Sequence, residues 1–546
     1  MSRLPPNTTA RMLQSEKKPG HERPLAPLPR TWLWTSIGKI ADVFRGASPR
    51  PKGDPRYFGG PIPWIKISDV TRQPGKYLFE TKEGVTEAGA ALSRRVPAGR
   101  LILSNSGTVC VPKILKAEGC IHDGFVSFLG LEDNVSLDFA YWWFEYVRPQ
   151  IAQENRQGVT QVNLNTDIVR EIHLPLAPRP EQLRVVAEIE KQLTRLDAGV
   201  AALKRVQAKL RLYRASVLKA ACEGRLVPTE AELARREGRP CETGEQLLAR
   251  VLQERRTKWE SDQVAKMLAA GGPPKDEDWK KKYREPPLPD MASLPEVPKG
   301  WAPVNLGLVA WSVKDGPHYS PKYVDAGIPF VSGGQVRPSG VDFASAKYIS
   351  PELHLELLQR CHPEKGDILY TKGGTTGIAR VNTYDHEFSV WVHVAVLKLV
   401  ESAKPFFVQH ALNSPLCYRQ AQRHTHGVGN QDLGLTRMVW ITFGLPPMAE
   451  QARIAKEVDQ QMSTVDQIDC SIDIELKGAD RLRQAILKRA FEGKLVPQDP
   501  NDEPASVLLE RIRADLLTKA NRRPSSDSQE RRGKTRGRSR GVHAGN

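Results

Sequence analysis

The sequence is poor in cysteine, lacks a long apolar run and carries no signature of a common enzyme. Its seven cysteines among 546 residues are scattered and never form a C-x-x-C pair, which argues against a disulfide framework and a zinc ribbon. No apolar stretch approaches the roughly 18 residues that span a bilayer, and the first thirty residues lack the apolar core of a signal peptide. We therefore expect a soluble protein of the reducing cytoplasm without membrane contact.

Motifs of nucleotide and metal enzymes are also missing. The chain contains neither a G-x-x-x-x-G-K-[ST] phosphate loop nor an H-E-x-x-H pair, and no tetrapeptide like the N-P-P-Y of DNA amino-methyltransferases. "GVGNQDLG" at 427–434 imitates a glycine-rich nucleotide loop, but it follows polar residues instead of a strand. The histidines of "HTH" at 424–426 are more often solvated than metal-bound. We expect no catalysis by this chain alone, no metal, and no cofactor bound by it.

Positive charge exceeds negative charge, with 80 Lys and Arg against 63 Asp and Glu. Part of the excess lies in two polar terminal segments that cannot bury a core. The run "RRGKTRGRSRG" near the C-terminus is explained equally well as a solubilising tail and as a loose contact for phosphates. The smaller excess on the body permits a polyanionic partner without proving one.

One segment near the middle of the chain recurs near its end. "RASVLKAACEGRLVP" at 214–228 and "RQAILKRAFEGKLVP" at 483–497 agree at nine of fifteen positions. The offset between these two segments also aligns Trp32 with Trp301 and the pair "EQ" at 181–182 with "EQ" at 450–451, while similarity fades between these anchors. Each half therefore joins a fixed frame to a variable interior, as expected of two similar modules with different targets.

Each half also contains one long helix with a heptad pattern. Residues 180–223 space apolar side chains alternately three and four apart, with Gln207 and Arg214 interrupting the series, and the second copy is looser. Such a stripe alone is more often core packing, but two copies favour pairing. Gly224 and Gly493 predict where the helices end. The expected seam residues are Ile189, Leu193, Leu196, Val200, Leu203, Leu210, Val458, Met462, Val465, Ile472, Leu476, Leu482 and Ile486.

We predict an α/β (α+β) fold in which two similar globular domains alternate with two long helices. The helices are expected to pair as an antiparallel coiled coil, giving a pseudo-twofold internal repeat. The predicted segments are a disordered tail (1–28), a first globule (29–175), a first long helix (176–228), an amphipathic segment with a Pro-rich linker (229–297), a second globule (298–445), a second long helix (446–497), a C-terminal helix (498–520) and a basic disordered tail (521–546).

Several segments, taken from both halves and occurring in the same order, together resemble one family. They are "GGPIPWIKISDV", "NSGTV", "GGTTGIARV", "GVTQVNLN" and "LKRAFEGKLVPQDPNDEPA". The chain resembles the specificity subunits of type I restriction-modification systems over about residues 29–258 and 298–520. The resemblance implies a non-catalytic DNA-binding subunit whose two target recognition domains each recognise half of a split sequence, while the helices set the gap.

The resemblance also implies the partners of the chain. Methyltransferase subunits would dock on the helices and carry S-adenosylmethionine, and restriction subunits would add ATP-driven translocation and Mg²⁺-dependent cleavage of double-stranded DNA. Two other hypotheses stay open. The first is a coiled-coil protein-interaction adaptor without DNA specificity, and the second is a nuclease that acts without partners.

Loops beside the matched motifs supply the candidate DNA contacts. Lysine suits phosphates and guanine, and Asn or Gln suits adenine edges, although each side chain is equally well explained as an ordinary loop residue. Where Gly377 ends one loop, the first copy has Cys110, so we expect that turn to differ. The candidates are Lys66, Ser68, Asp69, Ser104, Asn105, Thr160, Gln161, Asn163, Ser332, Gln335, Lys372, Thr375 and Asn430.

Overall fold

The computed structural model describes residues 26–154, 164–274, 276–291, 294–427 and 432–521. Most of both predicted tails, 1–28 and 521–546, lies outside these ranges. The chain forms two compact units, and neither unit coincides with one half of the sequence. The first unit combines residues up to 201 with residues from 476 onward, and the second unit comprises residues 202–475. Each unit therefore contains parts of both sequence repeats.

The globule of the first unit consists of two main sheets and a small strand pair. One sheet has the order β2-β10-β7-β8-β4 and the other β5-β3-β9-β6, while β1 pairs with β11. The strands are β1 (Leu33–Ser36), β2 (Asp42–Arg45), β3 (Phe58–Ile65), β4 (Tyr77–Leu78), β5 (Glu83–Val85), β6 (Arg94–Val96), β7 (Leu101–Ser104), β8 (Pro112–Leu115), β9 (Gly119–Ile121), β10 (Phe125–Leu129) and β11 (His173–Leu176). The helices are α1 (Ile67–Arg72), α2 (Glu87–Ala91), α3 (Leu131–Asn134), α4 (Leu137–Glu154) and α5 (Thr166–Glu171).

The first long helix follows this globule and contributes to both units. It is α6 (Arg179–Cys222), which has 44 residues. Two further helices, α7 (Glu230–Glu237) and α8 (Gly244–Ala269), begin at threonines whose side chains accept backbone hydrogen bonds, the arrangement that satisfies free amides at a helix start. Both of these helices belong to the second unit.

The globule of the second unit repeats the strand order of the first. Its main sheet has the order β13-β21-β18-β19, its second sheet β17-β14-β20, and β12 pairs with β22. The strands are β12 (Ala302–Asn305), β13 (Ala310–Asp315), β14 (Ile328–Val331), β15 (Val336–Arg337), β16 (Gly340–Val341), β17 (Lys347–Ile349), β18 (Ile368–Thr371), β19 (Ala379–Val381), β20 (Ser389–Val390), β21 (Val394–Leu399) and β22 (Thr442–Leu445). The helices are α9 (Leu306–Val309), α10 (Pro351–Arg360), α11 (Pro405–Leu412), α12 (Pro415–His424) and α13 (Leu435–Met438).

The second long helix, α14 (Met448–Phe491), also has 44 residues, and α15 (Ala505–Asn521) follows it. The pairing of β3 with β9 is parallel, and so is the pairing of β14 with β20. This shared topology confirms the predicted fold of two similar α/β globules joined to two long helices. None of the helices in the described ranges combines the length and the hydropathy that a bilayer crossing requires.

The core of each unit combines one globule with both long helices. In the first unit Ile189 of α6 and Phe491 of α14 belong to the same buried cluster as Phe139 of the globule. The rings of Phe139 and Phe491 meet edge to face at 5.2 Å. In the second unit Val217 of α6, Val458 of α14 and Phe407 of the globule share one buried cluster.

Burial along the two long helices follows the heptad spacing. Leu196, Val200, Leu203 and Leu210 of α6 are half-buried, and most side chains between them are exposed. On α14 Val458, Val465, Ile472 and Ile486 are buried, while Met462 and Leu476 are half-buried. Leu482 departs from the expected seam because its side chain is exposed, and the half-buried Arg483 takes the seam position.

Polar residues that interrupt the apolar seam are paired across it. Within the second unit, the Gln207 amide donates to Asp469 and Asp473, each at 3.1 Å, and Arg214 contacts Asp466 at 2.5 Å and Asp469 at 3.1 Å. The partner numbers fall as the residue number rises, which makes the pairing antiparallel. Polar layers of this kind specify register in coiled coils, at a cost in apolar burial.

The same ion pair is present once in each unit. Arg214 contacts Asp466 in the second unit, and Arg483 contacts Asp197 in the first. Arg214 and Arg483 occupy equivalent positions of the sequence repeat, and so do Asp197 and Asp466. Each repeat thus supplies the cation of one pair and the carboxylate of the other.

Each long helix ends against the opening segment of the other repeat's globule. Gly224 and Gly493 have φ of +64° and +67°, the left-handed conformation of a helix cap. A Cβ added at Gly493 would lie 2.3 Å from Cγ of Pro29, and one added at Gly224 would lie 2.5 Å from Cγ of Pro298. Glycine is therefore needed at both positions for two reasons. The turn has a left-handed backbone, and the proline occupies the place of a Cβ atom.

A buried glutamate at the start of each long helix reinforces this closure. Glu450 accepts hydrogen bonds from Trp301 Nε1 at 2.9 Å and from the backbone N–H of Glu230 at 2.7 Å. Glu181, its counterpart, accepts a hydrogen bond from Gln498 Nε2. Burial raises the pKa of both glutamates. Each carboxylate therefore connects the start of one long helix to the chain that follows the other.

We expect Gly493→Ala to lower the free energy of unfolding by about 1–3 kcal/mol, because a left-handed backbone and a blocked Cβ position coincide there. The matched control is Gly478→Ala in the interior of α14, where a Cβ would meet nothing within 4 Å. This control should gain up to about 1 kcal/mol from the higher helix propensity of alanine. Denaturant unfolding of the full chain measures both changes. Equal stability of Gly493→Ala and the native chain would contradict the closure.

Candidate nucleic-acid interface

Four loops of the first globule meet at one end of its sheets, namely those that follow β2, β3, β7 and β9. Backbone hydrogen bonds join them to one another. Gly46 donates to the carbonyl of Phe125, His122 to that of Ile65, and Asn105 to that of Gly124, at 2.9, 3.1 and 2.9 Å. We call these loops the loop face of the first globule.

The second globule has an equivalent loop face, formed by the loops after β13, β14, β18 and β20. Trp391 donates to the carbonyl of Val331 at 2.8 Å, and Lys372 donates to that of His393 at 2.9 Å. Leu433 donates to the carbonyl of Lys372 at 2.8 Å, as Leu164 does to that of Asn105 in the first globule. The shared frame therefore builds the same arrangement of loops twice.

A glycine allows the first of these loops to leave its strand in each globule. A Cβ at Gly46 would lie 2.2 Å from the carbonyl oxygen of His122, and a Cβ at Gly316 would lie 1.7 Å from that of Val390. Any larger residue would push the loop off the neighbouring backbone. The loops that begin at Gly46 and Gly316 thus leave their strands in close contact with the backbone at His122 and at Val390.

The "SNSGTVC" and "TKGGTTG" turns have the same backbone structure, contrary to the expected difference at Cys110. Cys110 adopts φ of +60° and Gly377 φ of +104°, so both lie in the left-handed region. Cys110 donates to the carbonyl of Ser104 at 2.8 Å, and Gly377 to that of Thr371 at 2.9 Å. The hydroxyls of Ser104 and Thr371 donate across the turn to the carbonyls of Thr108 and Thr375.

Four of the predicted DNA contacts have buried side chains that stabilise the loop face. Ser104 and Asn105 are fully buried within their turn. Asp69 is fully buried and accepts hydrogen bonds from the backbone N–H groups of Lys66 and Lys82 at 3.0 and 3.2 Å. Lys372 is buried between two carboxylates. In this conformation these side chains are enclosed by the protein, and their polar contacts hold the loops in place.

The other predicted contacts within the described residues reach the surface, and they stay predictions. Ser68 and Thr375 are exposed. Lys66, half-buried, forms an ion pair with Glu83. Ser332 and Gln335 are half-buried and bonded to each other, with 2.5 Å between Oγ and Oε1. Four further predictions lie outside the described residues, namely Thr160, Gln161, Asn163 and Asn430.

The structure adds a basic cluster that the sequence interpretation missed. Arg45 is the last residue of β2, Arg50 and Lys52 lie in the loop that follows it, and all three are exposed. Their neighbour Asp123 has a pKa below its ordinary value, since a hydrogen bond from Ser48 and nearby positive charges outweigh its partial burial. The sequence "RGASPRPKGDPR" at 45–56 carries this signal, whereas the corresponding loop of the second half, "GPHYSPKYVDAG" at 316–327, contains one lysine and no arginine.

The corresponding region of the second globule is built around one buried acidic group instead, Asp315. Asp315 is 2% exposed and contacts Lys372 at 3.4 Å, Arg360 at 2.9 Å and His318 at 3.2 Å. Lys372 also contacts Asp432 at 3.1 Å. Asp315 ends β13 opposite Ala395, just as Arg45 ends β2 opposite Val126. The two loop faces thus share a frame and differ in charge.

The fold and the two loop faces define a class of protein, in which one globule occurs twice on a pair of long helices. The sequence profile of the family described as "Type I restriction modification DNA specificity domain" matches residues 29–211 and again residues 298–477. The chain belongs to this family and carries its domain twice. It is a DNA sequence-specificity subunit of the type I restriction-modification class.

Similar proteins agree with this assignment. The specificity subunit of the type I restriction enzyme EcoBI from Escherichia coli is 24% identical over 384 residues, which cover 68% of this chain and 70% of that one. The EcoKI specificity subunit from E. coli strain K12 is 20% identical over 533 residues, 91% of this chain and 98% of that one. A chain from a structure of complex assembly and conformational transition in the type I R-M system supports the fold, with a TM-score of 0.54 at 17% identity over 86% of this chain and 99% of that one.

We expect Lys372→Ala to destabilise the chain by about 2–4 kcal/mol, because it leaves the buried Asp315 with less compensation. The expected loss of stability is smaller than for an isolated buried ion pair, because Arg360 still contacts Asp315. The control is Lys365→Ala, which removes a 63% exposed lysine from its ion pair with the 84% exposed Asp385. Its effect should stay within about 1 kcal/mol. Equal losses in the two variants, measured by denaturant unfolding, would contradict a positioning role for Lys372.

Proposed function

We propose that each globule recognises one half of a bipartite DNA sequence and that the paired helices set the distance between the halves. The observation that carries this proposal is the contrast between the two loop faces. They share backbone hydrogen bonds and strand order, but basic Arg45 in one corresponds to buried Asp315 in the other. A frame built twice with different surface chemistry suits two different half-sites.

The helix pairing supports the second part of the proposal. A helix of 44 residues extends about 66 Å at 1.5 Å per residue. Half-sites on one side of a duplex lie about 34–36 Å apart, or a multiple of that distance. The paired Arg214–Asp466 and Arg483–Asp197 contacts favour one register of the two helices, and a single register favours a single gap.

We further propose that the chain acts as the non-catalytic part of a cytoplasmic complex. Methyltransferase subunits bound to the helices would supply S-adenosylmethionine and adenine methylation, and restriction subunits would supply ATP hydrolysis, Mg²⁺ and cleavage of double-stranded DNA. Exposed apolar side chains on the helices of the second unit, Leu212 and Ile474 above all, offer contact area for such subunits. The absence of catalytic sequence motifs agrees with this division of labour.

The test is to express the chain with its methyltransferase partner in cells that lack other DNA methylation and to map methylated adenines by single-molecule sequencing. We expect one bipartite motif with a fixed gap. In binding assays the purified complex should prefer this site to scrambled DNA, and its affinity should fall steeply with salt because phosphate contacts release counterions. An intact complex that methylates no motif and binds all sequences equally would favour a protein-interaction adaptor.

A second experiment separates the adaptor from the DNA-binding subunit. Residues 30–175 are replaced by the recognition domain of another family member, with the long helices kept. We expect one half of the methylated motif to change and the other half to stay. An unchanged motif would show that the globule does not specify DNA. Mg²⁺-dependent cutting by the isolated chain would instead support the nuclease hypothesis.

A further inference from the structure

We propose that Arg50 is the residue that recognises a guanine in the first half-site, flanked by lysines that contact phosphates. The inference rests on the proposed function and assigns it to one side chain. The matched motifs do not include this residue, and the second half has lysine instead of arginine after the same Ser-Pro pair, at Lys322.

The loop that carries Arg50 is anchored on both sides. Before it, Ser48 Oγ contacts Asp123 Oδ1 at 2.7 Å, and Ser93 Oγ donates to the carbonyl of Ala47 at 2.6 Å. After it, the backbone N–H of Thr86 donates to the carbonyl of Tyr57 at 3.0 Å, and the Thr86 hydroxyl donates to the carbonyl of Arg56 at 2.6 Å. Because the backbone of this loop is already ordered, binding restricts mainly the side chain of Arg50, which favours specific contacts.

Arg45 at the end of β2 and the two arginines of the loop differ in what they already bind. Arg45 Nε donates to the carbonyl of Asp123 at 2.7 Å. Arg56 forms a forked contact with Asp54 at 2.7–3.1 Å, and these hydrogen bonds hold the pKa of Asp54 below its ordinary value. Arg50 has only a contact of 3.9 Å to Asp123, and its side chain is 71% exposed. Among the described contacts of the three, the guanidinium of Arg50 therefore has the weakest, which leaves its whole fork open to DNA.

The surroundings of Arg50 suit a polyanion. His122, next to Asp123, has a pKa below its ordinary value because of burial, and the positive charges of Arg50, Lys66 and Lys52 act on it in the same direction. Each of these three cations is thus close enough to act on His122, and of the three Lys66 is paired with Glu83. Lysines act as point charges toward phosphates, whereas the planar fork of arginine matches O6 and N7 of guanine in the major groove.

The second globule has a lysine in the place of Arg50, because exposed Lys322 follows Ser320-Pro321 as exposed Arg50 follows Ser48-Pro49, and a lysine lacks the guanidinium fork. The segment from Gly316 to Gly327, "GPHYSPKYVDAG", contains no arginine, and buried Asp315 stands where the first globule has Arg45. The proposed guanine contact therefore belongs to one half-site only. The other half-site acts as an internal control for folding, assembly and methylation.

The experiment compares Arg50→Ala and Arg50→Lys with the native chain in the complex with its methyltransferase partner. Methylated adenines are mapped, and binding to duplexes with each base pair of the first half-site changed is measured at one salt concentration. We expect one G·C position of the first half-site to become degenerate, with about 5- to 150-fold loss of discrimination there. Arg50→Lys should lose the same discrimination because it keeps the charge and lacks the fork.

The matched control is Arg56→Ala, which removes an arginine of equal exposure, 71%, from the same loop. We expect its methylated motif to equal that of the native chain. An unchanged methylated motif in Arg50→Ala would overturn the assignment. An equal loss of affinity for specific and scrambled DNA would also overturn it, because such a loss is typical of a phosphate contact. A native complex without any bipartite motif would instead refute the proposed function, and the two failures are distinguishable.

Discussion

The closure of each long helix against the opening segment of the other repeat is the constraint on which the structure depends. Gly493 packs under Pro29, and Gly224 packs under Pro298, in turns that only glycine forms without strain. Because of this exchange, neither repeat completes a core by itself, and each unit joins one globule to helical segments from both halves. The duplication of "EGRLVP" as "EGKLVP" is thereby explained, since each globule needs one helix end to pack on.

The sequence predicts the elements of this fold better than their assembly. Heptad spacing and the two glycines predict α6 and α14 to within a few residues, because local patterns determine where a helix begins and ends. Local patterns do not predict that each compact unit combines segments from both repeats. The constant offset between the repeats shows which segments have similar sequences. It does not show that each long helix packs against the globule of the other repeat. Arg483 shows the limit within a helix, since its paired charge takes the seam position from Leu482.

The candidate site was harder to predict for a related reason. Motifs found in both halves, such as the turns at Asn105 and Lys372, are shared because they hold the loops together, and their side chains are buried. Residues that distinguish two half-sites must differ between the halves, so a search guided by the repeat passes over them. Arg50 is such a residue, and only the geometry of its loop separates it from the equally exposed Arg56.

The central claim, that the two halves of the chain build each unit together, is tested most directly by cutting the folded protein between them. A specific protease site is inserted at Gly271-Gly272, where added side chains would meet no neighbour within 4 Å, and the full chain is cleaved after folding. We expect the two fragments to elute together in gel filtration under native conditions and to separate only in denaturant, because each unit contains helices from both fragments. Two folded fragments that elute separately without denaturant would contradict the claim.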